Sequence, residues 1–537
     1  MADPTQSLLY YIEDIPKAEL HIHIEGTLEP ELMFKLAERN GIKLEGTVSS
    51  HKDRRQTFKN LQDFLDLYYE ACSVLKEEED FFDLMNAYLQ KAAHDSVLVA
   101  EIFFDPQTHT ERGVPFETVI NGLHRGLCHG YQHYNIKGSL ILCFLRHLSE
   151  DEAIKTLKEA MPHLDKIIGV GLDSGEVGNP PEKFEKVFSM ARDLGLQVVA
   201  HAGEEGGPEY ITGALDCLKA KRIDHGVQCL SSDELVSSLV ARKIPLTVCP
   251  LSNIKLQVAS RYFNGASPVK QLLDKGLLVT INSDDPAYFG GYINANFVQA
   301  VKDCKLTAKD VFNICRNAFN ATFLPLVEKE YYLSCLNRFN VESGFAAPPK
   351  SVAIFGSRQP APGTPQYEMA RKLAGMFASR GYQVASGGYN GIMKAASHGA
   401  NDEGGLSLGV LSPRTFRSRN PIGNEYVSKT MLSLSFSSRT SDLIETSEYL
   451  IAFPGKMGTF TEIIVSWSHW VGRSERNYPA KKLYIYREPL GTLFQDVVKR
   501  LGVSDAEIEH VILFDSLDEV LEGVERDFEE RKKKAVF

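Results

Sequence analysis

Before residue 290 the sequence carries eight short apolar or alternating runs, near 19–26, 97–106, 139–145, 167–173, 196–204, 222–227, 244–250 and 277–285. Helical periodicity separates each run from the next. Strands that alternate with helices pair in parallel, because each helix carries the chain back to the edge where the strand began. Eight such units in about 300 residues predict a closed (β/α)8 TIM barrel, and the fold class is α/β. One insertion interrupts the pattern. Residues 58–93 hold Leu61, Phe64, Leu65, Tyr68 and Tyr69, then Phe81, Phe82, Leu84 and Tyr88, all at helical spacing. This predicts two helices between the first and second strands, either a lid over the barrel mouth or outer packing.

In such a barrel chemistry sits at the C-terminal ends of the strands. The first run is Glu19-Leu20-His21-Ile22-His23-Ile24-Glu25-Gly26, whose alternation puts His21 and His23 on one face with Glu25 beside them. The fifth runs into His201-Ala202-Gly203-Glu204, the sixth into His225-Gly226, and the eighth into Ser283-Asp284-Asp285. Each end alone reads as an ordinary core histidine or an acidic turn. Four of them at one mouth point to a metal-assisted site. The fourth strand, Ile168-Gly169-Val170-Gly171-Leu172-Asp173, carries no Lys to bridge two metals, so one zinc ion per chain is expected. Neutral imidazoles and a carboxylate suit zinc, which lowers the pKa of a bound water toward 7. Glu204 lies three residues past His201 and is placed to pass a proton to a substrate nitrogen.

Composition narrows the class of partner. Charged residues make up 24% of the chain and the net charge is -11, which argues against a nucleic-acid footprint. The 9 cysteines are scattered, with no C-x-x-C pair, as expected in a reducing compartment. The N-terminus lacks the basic and apolar regions of a signal peptide, and no apolar run is long enough to span a bilayer. A cytoplasmic protein acting on small molecules, without membrane or nucleic-acid partners, is expected.

Lys17-Ala18-Glu19-Leu20-His21-Ile22-His23-Ile24-Glu25-Gly26-Thr27-Leu28, His201-Ala202-Gly203-Glu204 and Ser283-Asp284-Asp285-Pro286 resemble the adenosine and adenine deaminase family. Asp173-Ser174-Gly175-Glu176-Val177-Gly178 and Val248-Cys249-Pro250-Leu251-Ser252-Asn253 resemble its adenine deaminase branch. The resemblance covers roughly residues 10–340. It implies zinc on His21, His23, His201 and Asp284, and hydrolytic deamination of adenine to hypoxanthine and ammonia. It implies Glu204 as proton donor to purine N1, His225 orienting the hydroxide, Asp285 bonded to N7, and the backbone N–H of Gly175 bonded to N3. Adenosine deaminases carry Asp after the His pair, where it holds the ribose. The longer Glu25 is expected to reach into that space and favour the free base. N6-substituted adenines, such as cytokinin bases, and adenosine remain alternative substrates. A cytidine-type zinc site is excluded, because His23-Ile24-Glu25 is followed by no P-C-x-x-C.

The deaminase-like pattern occupies residues 1–342, and residues 343–350, rich in small residues with paired prolines, read as a linker. Residues 351–537 resume strand–helix alternation, with strands expected at 351–355, 383–386, 407–411, 449–453 and 482–486. They predict a Rossmann-like, doubly wound sheet. Two glycine loops follow strands and open helices: Ser386-Gly387-Gly388-Tyr389-Asn390-Gly391 and Pro454-Gly455-Lys456-Met457-Gly458-Thr459. Glycines there let backbone N–H groups approach a phosphate at a helix start. Together the loops resemble the LOG ("lonely guy") phosphoribohydrolases, whose hallmark P-G-G-x-G-T-x-x-E is met by P-G-K-M-G-T-F-T-E at 454–462. The resemblance implies cleavage of AMP or a cytokinin riboside monophosphate to the base and ribose 5-phosphate. Glu462 would assist cleavage and Arg439 bind substrate, while Gly387, Gly388, Gly391, Gly455, Gly458 and Thr459 cradle phosphate. Lys456 replaces the second Gly of the hallmark, and Thr440 stands where the family has Lys. The other reading is a nucleotide-binding module without catalysis that makes the protein a homodimer or higher homo-oligomer.

Overall fold

The computed structural model describes residues 4–55, 57–58, 61–469 and 478–535. The chain divides into two units, Pro4–Phe339 and residues 340–535.

In the first unit, eight strands form one parallel sheet in sequence order: β1 (Lys17–Glu19), β2 (Val97–Phe104), β3 (Lys137–Leu145), β4 (Ile167–Asp173), β5 (Gln197–Ala202), β6 (Arg222–His225), β7 (Pro245–Val248) and β8 (Leu278–Ile281). The sheet closes on itself past the end of β8. His23 N–H donates to Asp284 O at 3.1 Å, and Asp284 N–H donates to His21 O at 3.1 Å. The barrel is thus sealed by the residues that carry the site. The first strand is shorter than its alternation suggests. After Glu19 the chain makes only single bridges, Ile22 to Asp284 and His23 to Phe103, and Glu25–Thr27 turns into a 3-10 helix. Residues 21–24 divide their backbone bonds between β2 and the segment after β8, so no continuous ladder extends past Glu19.

Both helices of the insertion are present, Leu61–Cys72 and Glu78–His94. The first roofs the barrel mouth, and the second lies against the helix Phe116–Tyr134 on the outside. A stripe of glycines makes that contact close: a Cβ at Gly122 would stand 2.3 Å from Glu78 O, and one at Gly126 2.6 Å from Met85. The insertion therefore serves as lid and as outer packing, one helix each. Among the described residues, no helix is long and apolar enough to cross a membrane.

The second unit is a seven-stranded parallel sheet of β9 (Ser351–Phe355), β10 (Gln383–Ser386), β11 (Ser407–Leu411), β12 (Lys429–Leu432), β13 (Tyr449–Ala452), β14 (Lys482–Tyr486) and β15 (Val511–Phe514). The spatial order is β12-β11-β10-β9-β13-β14-β15. Separate apolar clusters pack its two faces, as a doubly wound sheet requires. The two strands absent from the sequence reading, β12 and β15, are the edges. All four residues of β12 are exposed, so burial imposes no apolar pattern on it. The strand order reverses between β9 and β13, and the loops after those two strands open the crevice where ligands bind in such sheets.

Candidate active site

The pocket at the barrel mouth is roofed by Phe64, Leu65, Tyr68 and Tyr69 and walled by Leu256 and Phe289. His21, His201, His225 and Asp284 place ligand atoms within 4.8 Å of one another, all buried. His21 Nε2 is 3.2 Å from Asp284 Oδ1. His23 joins through its Nε2, 3.1 Å from His201 Nε2 and 3.6 Å from Asp284 Oδ1. Burial holds His23 and His201 below the usual imidazole range and lowers His225 to about 3, so their nitrogens carry free lone pairs. His21 is raised despite its burial, because the Asp284 carboxylate faces it. Burial alone would raise Asp284, but the neighbouring imidazoles hold it well below the carboxylate range. The neutral imidazoles of His23, His201 and His225, with His21 paired to the ionised Asp284 carboxylate, converge in a buried pocket and fit a divalent metal ion.

Residues behind the cluster orient it. His21 Nδ1 lies 2.9 Å from Thr247 Oγ1, and the Thr247 hydroxyl donates to Asp224 Oδ1 at 2.8 Å. With its proton given to Asp224, Thr247 accepts from His21 Nδ1–H, which leaves Nε2 as the ligand atom. Asp224 Oδ2 also stands 3.6 Å from His201 Nδ1. Glu19 accepts the Ser283 N–H at 3.1 Å and the Tyr88 hydroxyl at 2.8 Å, which fixes the residue before Asp284. Gly26 is required by Asp285: a Cβ there would fall 1.9 Å from Asp285 Oδ1. Asp284, His225 and Ser174 hold φ of +64°, +61° and +72°, a left-handed backbone that non-glycine residues adopt at a cost of about 1 kcal/mol or more.

Glu204 and Asp285 complete this end of the pocket. Glu204 Oε2 is 3.6 Å from His225 Nε2, and His225 Nε2 is 3.7 Å from Asp284 Oδ2. Burial, with Asp284 close by, pushes both Glu204 and Asp285 well above the carboxylate range, so each holds a proton it can donate. Glu204 is set by a residue that the sequence reading did not single out. The Glu176 carboxylate accepts four backbone N–H groups, from Gly203 at 2.6 Å, Glu204 at 3.1 Å, Glu205 at 2.9 Å and Gly206 at 2.8 Å. Arg146 adds a bond from Nη1 to His201 O at 2.7 Å. The Gly175-Glu176 motif was legible, but its partners lie about thirty residues on.

Glu25 does not line the pocket. It is 1% exposed and turned away, accepting the Asp105 N–H at 3.1 Å and His109 Nε2 at 2.9 Å. The 3-10 turn at Glu25–Thr27 rotates it off the face that carries His21 and His23. Asp105 and Asp173 line the pocket instead. Gly175 follows Ser174, which also lines it; the Gly175 carbonyl accepts from Asn179 Nδ2 at 3.0 Å.

In the second unit a cleft at the switch point is lined by Ser357, Arg358, Arg419, Arg439, Lys456, Gly458, Thr459 and Glu462, among others. Arg439 is buried, bonded from Nε to Val410 O at 2.9 Å and from Nη2 to Gly387 O at 3.2 Å. Its Nη1 stands 3.8 Å from Glu462 Oε1. Burial raises Glu462 to about 7, against the pull of Arg439. Gly458 and Thr459 open the helix Met457–Ser468 on the cleft wall, whereas Gly387, Gly388, Gly391 and Gly455 stand one layer back. Their lack of a side chain makes room: a Cβ at Gly387 would strike Arg439 Nη2 at 1.8 Å, and one at Gly391 would strike Ser357 O at 2.3 Å. Arg358 and Arg419 were missed in the sequence; Arg358 follows β9 at the switch point, which is the signal that could have found it.

A parallel eight-stranded barrel with an imidazole–carboxylate cluster at its C-terminal mouth defines a hydrolase of the amidohydrolase type. The chain belongs to the adenosine deaminase family, whose model matches residues 16–338. The SLOG cluster4 family matches residues 349–471, so the expected fusion to a LOG-like domain is present. An adenine deaminase of Geotalea uraniireducens is 54% identical over 337 residues, 63% of this chain and 94% of that protein. One of Trichlorobacter lovleyi is 53% identical over 337 residues, 63% of this chain and 96% of that protein. Among solved structures, the adenine deaminase from Arthrobacter aurescens is 45% identical, covers 60% of this chain and 99% of its own, and superposes with a TM-score of 0.59.

Proposed function

We propose that the barrel catalyses hydrolytic deamination of adenine, taking adenine and water to hypoxanthine and ammonia. The observation that carries this reading is one buried pocket in which the imidazole–carboxylate cluster, Glu204 and Asp285 meet under an apolar roof. The substrate comes from the names of the relatives, which span nearly their whole length in this chain. We assign one zinc ion to His21, His23, His201 and Asp284. Zinc, when bound, supplies the Lewis acidity that makes a water nucleophilic near neutral pH. His225, between Glu204 and Asp284, orients that water. Glu204 gives its proton to purine N1, which makes C6 electrophilic. Asp285 bonds N7, the Gly175 N–H bonds N3, and the aromatic roof keeps bulk water out.

For the second unit we propose hydrolysis of nucleoside 5′-monophosphates to the free base and ribose 5-phosphate. Four cations, Arg358, Arg419, Arg439 and Lys456, share the cleft with Glu462. Such a cleft suits a phosphate ester beside a proton-handling carboxylate. A second reading, a binding and dimerisation module, draws on the exposed edge strand β12, whose last residue, Leu432, and the nearby Leu434 are both more than 60% exposed.

The test is a panel of adenine, adenosine, AMP and isopentenyladenine on purified metal-loaded protein. Adenine should be the preferred substrate of the barrel, and AMP should yield hypoxanthine and ribose 5-phosphate. Glu462→Ala should yield neither from AMP and still deaminate adenine. Preference for adenosine or isopentenyladenine over adenine would replace the first reading. Intact AMP with active adenine deamination would leave the module reading for the second unit.

A further inference from the structure

Asp105 and Asp173 have no part in the chemistry above, yet both line the pocket and are 3% and 2% exposed. The ring of His23 divides the pocket between them and the cluster. Its Nε2 faces His201 and Asp284, while its Nδ1 stands 3.5 Å from Asp173 Oδ2. The two carboxyl groups and the His23 ring nitrogen lie within 4.8 Å of one another. Asp105 is held firmly: its Oδ2 accepts the Tyr68 hydroxyl at 2.9 Å, and its N–H is held by Glu25. Glu25 in turn is bonded to His109, whose Nδ1 accepts from Arg112 Nη2 at 2.8 Å. The two carboxyl groups share a hydrogen bond, Asp173 also meets the Cys143 thiol, and among the described residues Asp105 Oδ1 and both oxygens of Asp173 have no further partner. Two buried carboxyl groups joined by one hydrogen bond keep unused lone pairs, and in residues that line a pocket these can accept from a donor that enters it.

A purine with N1 and C6 at the cluster presents its opposite end, with N3 and N9, to the rest of the pocket. In a free base N9 carries a hydrogen, the sole ring N–H of the neutral molecule. In a nucleoside that hydrogen is replaced by the sugar carbon. We propose that Asp105 and Asp173 accept the N9–H of the free base and are the residues that select a base over its nucleoside. This rests on the reading of the barrel as an adenine deaminase. Glu25 then acts from behind, by fixing the Asp105 backbone, and not as a plug in the sugar space. A nucleoside would set carbon against these oxygens and leave them unpaired, a mismatch that sites built for a hydrogen bond reject strongly.

The test compares adenine with an isostere that carries oxygen in place of N9–H, so that size is kept and the donor is lost. In wild-type protein kcat/KM should favour adenine by about 10³-fold or more. The Glu204→Gln protein, whose turnover is slowed about 10²-fold or more, should show the same preference in calorimetric affinity, free of electronic effects on the reaction. Asp173→Ala and Asp105→Ala should bring the ratio to within about tenfold, mainly by loss on adenine. The wild-type comparison stands even if those variants do not fold. Equal handling of the two compounds by wild-type protein, with adenine deaminated, overturns the assignment and leaves the deaminase reading in place. Adenine left unchanged removes both. A second equivalent of metal per chain, lost in Asp173→Ala, would make His23, Asp105 and Asp173 a cation site and also overturn the proposal.

Discussion

Glu176→Gln isolates the positioning of the proton donor from the donor itself. The carboxylate accepts N–H groups from four consecutive residues, 203–206, at 2.6 to 3.1 Å, and all four carry its charge assistance. An amide keeps the shape but turns one oxygen into a donor. At least one N–H then loses its acceptor, and the others lose the extra strength of an ionised partner, about 1 kcal/mol each. The loop conformation that aims Glu204 thus loses on the order of 3–4 kcal/mol. Displacement of a reacting group by about 1 Å costs roughly 10²-fold, so kcat should fall by about 10²- to 10³-fold. KM should change far less, because the roof and Asp285 are untouched. Metal content should be unchanged, because Glu176 touches no proposed ligand side chain. The assay is steady-state deamination of adenine, with metal analysis on the same samples. Glu176→Asp, which keeps the charge on a shorter stem, should recover part of the loss. A Glu176→Gln protein with full metal and kcat within threefold of wild type would refute the reasoning.

Glu204→Gln should bind metal and purine normally and lose about 10²-fold or more in kcat, read from turnover and calorimetry; loss of metal would make Glu204 a ligand. His21→Ala and Asp284→Ala should each remove both the single metal equivalent and the deaminase activity, as measured by metal analysis beside the assay. Glu462 gives a pH-dependent effect on stability. Its carboxyl is raised by burial to about 7 in the fold, so the folded state holds its proton more tightly than the unfolded chain. Its contribution is present below the unfolded pKa and is lost as pH rises through 7. Glu462→Gln should therefore stabilise the second unit at pH 8 by up to about 3 kcal/mol and make little difference near pH 4.5. Denaturant unfolding at the two pH values checks this, and a pH-independent difference would contradict it.

The barrel was legible because every inward strand is buried on both faces and so shows as an apolar run. The His and Asp residues stood out because they interrupt those runs at the strand ends. The doubly wound sheet was legible for the same reason, except at β12, whose exposed edge position removes the burial that writes a pattern; β15, the other edge, is an apolar run of four residues that was not read. The two inserted helices could be read from their spacing, while their separate roles could not. Sequence placed His21, His23, His201, His225, Glu204, Asp284 and Asp285 at one mouth because barrel topology alone brings strand ends together. Tertiary structure decided which way each side chain faces. Glu25 alternates with His21 and His23 in sequence, but a 3-10 turn sends it to His109, 84 positions away. Glu176 meets residues 203–206, Thr247 links His21 to Asp224, and Asp105, just after β2, meets Asp173, the last residue of β4, across the end of β3. Local periodicity reports which face of an element is apolar. It carries no record of which polar groups will share one buried space, because that depends on backbone turns and on partners set by closure of the barrel.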